Sequence, residues 1–279
     1  KNYDEYLFDI RKTKELGFNC LRKHIKTELP LFYYNCDREG ILVIQDFPCG
    51  GDHYSFFWTV VPRALSFLNE KNINYKRMAR ESQEGREEFK KECHEYLHLY
   101  HNYPSVVIYS IFNEGWGEFD PSEIYHELKE KESTKLFDTA SGWYDADSDF
   151  YSVHTYSIPD MKRVDKRNRC FIISEMGGVS LKVEGHSYFD GIFGHGIAKT
   201  KEELVKKYVD LYENKMIKQI SQLGLNMTIY TEVADCETEY NGIFTYDRKV
   251  QKIPTEVLLR INEALYEELR KATVTKEGV

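Results

Sequence analysis

The sequence lacks the features that would send it to a bilayer, a nucleic acid or a structural metal. No apolar run approaches the length of a membrane span, and no signal-peptide pattern is visible. Base is not in excess: 38 Lys and Arg stand against 46 Asp and Glu, a net charge of −8. That balance argues against nucleic acid and anionic membrane as partners. The six cysteines, Cys20, Cys36, Cys49, Cys93, Cys170 and Cys236, are scattered, with no C-x-x-C and no finger-like spacing. Structural zinc is therefore not expected, while disulfides stay open. No low-complexity tract or domain linker interrupts the chain. An initiator methionine is missing as well. The chain begins at Lys1, directly in helix-like sequence, and we expect a piece of a longer protein.

What is present suits one large α/β domain: 279 residues, 41% apolar and 30% charged. The organising stretch is Val106 to Gly117, V-V-I-Y-S-I-F-N-E-G-W-G. It opens as a run apolar on both faces, which belongs inside a covered parallel sheet. It stops at Asn113-Glu114, an amide and a carboxyl group where a buried strand meets its loop. Six further strands are expected, at 18–24, 41–47, 136–143, 150–156, 170–175 and 226–233. They alternate with helices over 3–16, 30–36, 87–100, 121–135 and 204–223, and a last helix is marked by Val257, Ile261, Leu265 and Leu269. Seven strands and a leading helix predict a (β/α)8 TIM barrel over residues 1–279, with its first strand outside this chain. Pro48 to Gly85 follows a strand, so it is expected on the site face. Its Tyr54, Phe56, Phe57 and Trp58 could stack on a flat ligand or pack on the barrel rim.

The strand ends supply Arg22 and His24, Asp46, Asn113 and Glu114, Trp143, His154 and Tyr156, Glu175, and Tyr230 with Glu232. In a barrel this rim is where chemistry sits. Glu114 and Glu175 fall on strands counted as the fourth and seventh, which face each other across an eight-stranded barrel. Two such carboxylates suit glycoside hydrolysis, one attacking the anomeric carbon and the other serving as acid and base. A nucleophile that stays ionised needs donors such as Tyr156 or Arg22.

Several motifs occur in order: L-G-F-N-C-L-R-K-H, V-I-Q-D-F-P, H-N-Y-P-S-V-V-I-Y-S-I-F-N-E-G-W-G, S-E-M-G-G and Y-N-G-I-F-T-Y-D-R-K. Together they resemble the catalytic barrel of glycoside hydrolase family 2, the β-galactosidases, β-glucuronidases and β-mannosidases. The resemblance implies Glu114 as acid/base, Glu175 as nucleophile and Asn113 as the residue holding the sugar 2-hydroxyl. It also implies Arg22 and His24 as the basic pair after an early strand, Tyr156 steadying the nucleophile, and Asp46 and Trp143 lining the pocket. It implies a retaining exo-β-glycosidase of β-galactosidase type with no cofactor, and β-sandwich domains upstream of this chain. L-R-K-H spaces its basic pair differently from the larger family. Glu239-Tyr240-Asn241 stands where the glucuronidase type has N-x-K, which argues against a glucuronide.

Other features carry blander expectations. His154 is either a ligand contact or a core histidine, and Glu232 either touches substrate or caps the last strand. Asp145 to Asp149 lacks the glycine and glutamate of a calcium loop and is expected as a solvated turn. Gly191 to Gly196 is expected as a mobile flap after Glu175. Two alternatives stand beside the glycosidase: a metal-dependent barrel hydrolase using His24, Asp46, His154 and Glu175, and a carbohydrate-binding domain inactive as a fragment. Self-association is left open, as is the compartment; periplasmic, secreted and cytoplasmic locations fit alike.

Overall fold

The structure is a computed structural model and describes residues 3–53, 57–58, 68–156, 165 and 167–277. The chain divides into two compact units, Lys1–Arg11 with Asn19–His154 and Lys12–Phe18 with Thr155–Val279. Each is described by itself.

In the first unit, helix α1 (Tyr3–Glu15) leads to strand β1 (Cys20–Lys23), helix α2 (Pro30–Glu39) and strand β2 (Leu42–Asp46). Helix α3 (Gln83–Tyr100), strand β3 (Val106–Asn113), helix α4 (Pro121–Lys131) and strand β4 (Leu136–Ser141) follow. Strands β1 to β4 form one parallel sheet in chain order. Cys20 pairs with Leu42, Val43 with Val106 and Ile108 with Leu136. As the run of apolar residues predicts, β3 is buried along nearly its whole length. Phe47, Tyr109 and Phe137 pack ring to ring across neighbouring strands, with centroids 5.4 and 5.5 Å apart. On α3, Phe89 stacks on Phe112 of β3 at 5.2 Å.

Local chemistry sets the helix ends. Pro30 sits in the first turn of α2, and Gly40 ends it in the left-handed region. Ser82 caps α3 by accepting from the Gly85 N–H, so that helix starts four residues before the expected Glu87. Asp120 takes the N-cap position of α4 but makes no capping bond; its carboxylate accepts from the Tyr75 hydroxyl at 2.7 Å. The helix stops at Lys131, short of the expected 135. Lys135 instead reaches across to the Tyr103 carbonyl. Asp149, expected in a solvated turn, accepts from Tyr125, Lys129 and the Phe137 N–H. Tyr54 and Phe56 lie outside the described residues. Phe57 is exposed, and Arg77 covers the Trp58 ring at 4.3 Å.

Strand β5 (Phe150–Thr155) runs to the end of the first unit. In the second unit, β6 (Cys170–Gly177) pairs in parallel with β9 (Leu225–Thr231), and the short strands β7 (Val179–Ser180) and β8 (Gly196–Ile197) pair with each other. Helix α5 (Lys201–Leu211) continues through a π turn at Tyr212–Met216 into α6 (Ile217–Leu223), and α7 (Thr255–Glu277) is the last helix. Asn262 on α7 donates to the Leu16 carbonyl and Tyr266 to that of Gly17. Among the described residues no helix is long and apolar enough to cross a membrane.

Lys252 is fully buried in this unit. Its ammonium donates to Asp235 Oδ1 at 2.6 Å and to the carbonyls of Tyr240 and Leu181. Burial pushes the Lys252 ammonium down and the Asp235 carboxyl up, so each charge is held by the other. Lys252→Met is expected to lower the urea midpoint by an amount worth about 3 kcal/mol, with much of it recovered in Lys252→Met/Asp235→Asn. A wild-type midpoint for the single variant would show that the pair carries no stability.

Candidate active site

In the first unit the strand ends meet around one guanidinium. Arg22, at the end of β1, is almost wholly buried. Its Nε and Nη2 donate to the two oxygens of Asp46 at 2.9 and 2.8 Å, and Nη2 also donates to Asn113 Oδ1 at 2.8 Å. Such a two-pronged pair fixes the plane of the guanidinium as well as its place. Burial alone would raise the Asp46 carboxyl. The Arg22 charge and the hydrogen bonds from His24 and Arg22 outweigh it and hold the group below its ordinary value. Asp46 also accepts from the Ile25 N–H at 3.2 Å, and half-exposed His24 lies 3.4 Å away. Asp46 thus spends its oxygens on orienting Arg22.

His154, at the end of β5, is buried. Its Nε2 lies 3.0 Å from Ser141 Oγ and 3.4 Å from Arg22 Nη1. A guanidinium only donates, so in the neutral ring Nε2 accepts and the proton sits on Nδ1. That N–H donates to Glu114 Oε1 at 2.7 Å. Glu114 adopts a left-handed backbone, φ 52°, and its N–H is tied to the Ser141 carbonyl at 2.8 Å. For a non-glycine residue this conformation costs about 1–2 kcal/mol; here it turns the carboxylate toward His154. Glycines make the space. A Cβ on Gly142 would lie 2.8 Å from the His154 ring, and one on Gly115 would lie 2.7 Å from the Tyr144 ring. Trp143 packs with Met78 and Tyr144 and lies 5.7 Å, centroid to centroid, from His154.

The second unit holds the other predicted residues. The β6–β9 register shifts between Ile173 and Met176, so Glu175 stands at an irregularity, a device that re-aims a side chain. Tyr156 donates its hydroxyl to Glu175 Oε1. Tyr230 lies edge-on to Tyr208 at 5.1 Å and occupies the space over Gly177. Burial pushes its phenol up, with Tyr212, Glu232 and Asp235 adding to it. Glu232 is pushed up to about 9 by burial, then by Glu239 and Asp235 against the opposing pull of Lys252, with Glu175 adding to the rise. At neutral pH Glu232 is a protonated acid.

Four further residues were not anticipated. Ser141 and Asp138 border the Arg22–His154 group, with Asp138 accepting from Ser152 at 2.8 Å. Ser141-Gly142 at a strand end was their one signal. Glu118 is fully buried, no described residue bonds its oxygens, and burial with Glu70 and Asp138 raises it well above its ordinary value. His195 stacks on Tyr156. The segment 191–196, expected as a mobile flap, is tied into the structure: Phe193 N–H donates to the Thr238 carbonyl and His195 N–H to that of Gly178, and β8 pairs with β7.

Because Glu232 keeps its proton in the folded chain up to about pH 9 while the unfolded chain loses it near 4.5, it weakens the fold as pH rises between those values. Glu232→Gln is expected to raise the thermal midpoint by about 2–4 °C or more at pH 8 and to leave it unchanged at pH 4. An equal shift at both pH values would contradict the buried acid.

Residues 2–263 match the family described as glycosyl hydrolases family 2, TIM barrel domain. A solved β-glucuronidase from an uncultured Clostridium sp. superposes with TM-score 0.60 at 16% identity, over 96% of this chain and 47% of its own. A GH2 β-galacturonidase from Eisenbergiella tayi bound to galacturonate gives 0.63 at 17%, over 95% and 48%. A β-D-glucuronidase from Dictyoglomus thermophilum gives 0.62 at 16%, over 96% and 48%. This chain spans about half the length of these structures, and at such identities the likeness is one of fold. No curated protein matches the chain. The family match runs over nearly the whole sequence, and the fold is the barrel that the strand count predicts: the chain belongs to glycosyl hydrolase family 2, as its TIM barrel domain.

Proposed function

We propose that residues 1–279 are the catalytic domain of a retaining exo-β-glycosidase of β-galactosidase type, with Glu175 as nucleophile and Glu114 as acid/base. One observation carries the reading. Each of the two carboxyl groups ends or follows a buried parallel strand, and each has a dedicated donor: His154 Nδ1–H for Glu114 and the Tyr156 hydroxyl for Glu175.

In this mechanism a Glu175 oxygen attacks C1 of the terminal sugar while Glu114 gives its proton to the departing glycosidic oxygen. Water then attacks C1, Glu114 takes its proton, and the C1–O bond to Glu175 breaks with its electron pair returning to the carboxylate. Retention calls for carboxyl groups about 5–5.5 Å apart across one anomeric carbon. Asn113, whose oxygen is committed to Arg22, has its NH2 to offer a sugar hydroxyl. As further candidate sugar contacts we assign His24 and Trp143 of the first unit and Tyr230 and Glu232 of the second, and this mechanism calls for no cofactor.

A neutral sugar is favoured over a uronide. The solved relatives named above are glucuronidases and a galacturonidase, whose substrates carry a carboxylate. Here Glu239-Tyr240-Asn241 precedes the G-I-F-T segment, Asn241 Nδ2 donates to Glu239, and Glu232 and Asp235 share the same surroundings. Lys252, just beyond this segment, is engaged by Asp235 and two carbonyls. A sugar carboxylate placed there would meet Asp235 and Glu239, with Lys252 already engaged by Asp235.

The test is a panel of nitrophenyl β-glycosides. Galactoside is expected to exceed glucuronide in kcat/KM. Glu175→Gln should lose turnover by about 10³-fold or more, and Glu114→Ala should lose about 10²–10⁴-fold on poor leaving groups but less on dinitrophenyl glycosides. Near-normal turnover by Glu175→Gln would remove the nucleophile assignment, and faster glucuronide hydrolysis would remove the neutral-sugar reading.

A further inference from the structure

The turn after Glu175 ends in two glycines, both in the left-handed region, with φ 97° at Gly177 and 72° at Gly178. A Cβ on Gly177 would lie 2.6 Å from the Tyr230 ring, and one on Gly178 would lie 2.7 Å from Cδ2 of His195. The turn is bare on both sides because an aromatic ring lies against each.

Main-chain bonds hold the His195 ring in its place. The backbone N–H of His195 donates to the Gly178 carbonyl at 2.9 Å, and Ala198 N–H donates to the Ser180 carbonyl at 2.8 Å. Ser180 Oγ donates to the Phe193 carbonyl at 2.5 Å, and Val179 pairs with Gly196. The approach is so close that a Cβ on Gly194 would fall 2.3 Å from Ser180 Oγ. Held in this way, the imidazole lies face to face on Tyr156, with centroids 3.5 Å apart and planes 16° apart. Phe193 meets the imidazole edge-on, 6.0 Å away.

A phenol hangs on two rotatable bonds, and a hydrogen bond weakens steeply as its angle closes. A flat ring against the phenol face removes the tilt that would turn the hydroxyl aside. We propose that His195 is a positioning residue for the nucleophile: its imidazole holds the Tyr156 ring so that the hydroxyl stays aimed at Glu175. The inference rests on the reading of Glu175 as nucleophile. It bears most on the second half-reaction, in which the C1–O bond to Glu175 breaks and negative charge returns to the carboxylate beside the waiting phenol donor. A donor already aimed there stabilises that charge without reorganising.

The test is a double-mutant cycle on deglycosylation, read as kcat for a dinitrophenyl β-glycoside and as turnover of the 2-deoxy-2-fluoro glycosyl-enzyme. His195→Ala is expected to slow deglycosylation about tenfold and to lower KM with kcat, since the covalent intermediate accumulates. His195→Phe, which keeps a flat ring, should stay within about threefold of wild type. In a Tyr156→Phe background His195→Ala should change the rate by less than about twofold. Should His195→Ala fail to fold, His195→Leu, which has no flat face, takes its place and is expected to be slow. Equal losses in both backgrounds, or unimpaired deglycosylation in the Ala or Leu variant, would overturn the proposal. Glu175→Gln serves as the control. Turnover surviving in that variant sinks the nucleophile assignment itself, whereas an additive cycle with a dead Glu175→Gln sinks the role of His195 alone.

Discussion

A charge buried at a strand end must be answered by other strand ends, and in the first unit that charge is Arg22. Its guanidinium is out of water, so its donors have to be satisfied by protein. Asp46 from β2 answers the charge, Asn113 from β3 takes a further N–H, and His154 from β5 lies against a third nitrogen. Because a guanidinium cannot accept, this last contact leaves His154 one way to place its proton in the neutral ring: on Nδ1, facing Glu114. The acid/base candidate is thus aimed by a residue two strands away, through an imidazole with no freedom to choose its tautomer.

Glycines perform the complementary task by making room. Gly115, Gly142, Gly177 and Gly178 all follow strand ends, and a Cβ on any of them would strike a ring, of Tyr144, His154, Tyr230 and His195 respectively. The loops that leave the sheet are therefore thin where an aromatic or imidazole ring must lie flat on the backbone. A glycine at such a position reports a neighbour as well as a turn.

Much of the strand framework was legible because burial on both faces leaves an unmistakable apolar run. Val106–Phe112 and Cys170–Ile173 are such runs, and the polar residues that stop them marked the rim. Helix boundaries were less legible. Ser82 starts α3 through a cap that only the fold completes, and Asp120 gives its carboxylate to Tyr75 in place of its own helix. What periodicity could not show was contact between distant residues. His195 sits in a glycine-rich stretch whose composition suggests mobility, and its immobility comes from bonds to Gly178, Ser180 and Thr238, far off in sequence. Glu118 looks like one more surface acid in G-W-G-E-F-D, and only the packing around it raises its carboxyl well above the ordinary value.

The raised carboxyls of Glu118 and Glu232 share one leading cause, burial away from water. Glu118 follows Glu114 by one turn of loop. Glu114 receives an N–H from His154, while no described residue gives a donor to Glu118. Glu232 stands in the same relation to Glu175, which has a phenol donor, and the negative charge of Glu175 is itself one reason Glu232 keeps its proton. Beside a carboxylate, a neutral acid is easier to accommodate than a second anion. It adds bulk and a hydroxyl to the rim without adding repulsion.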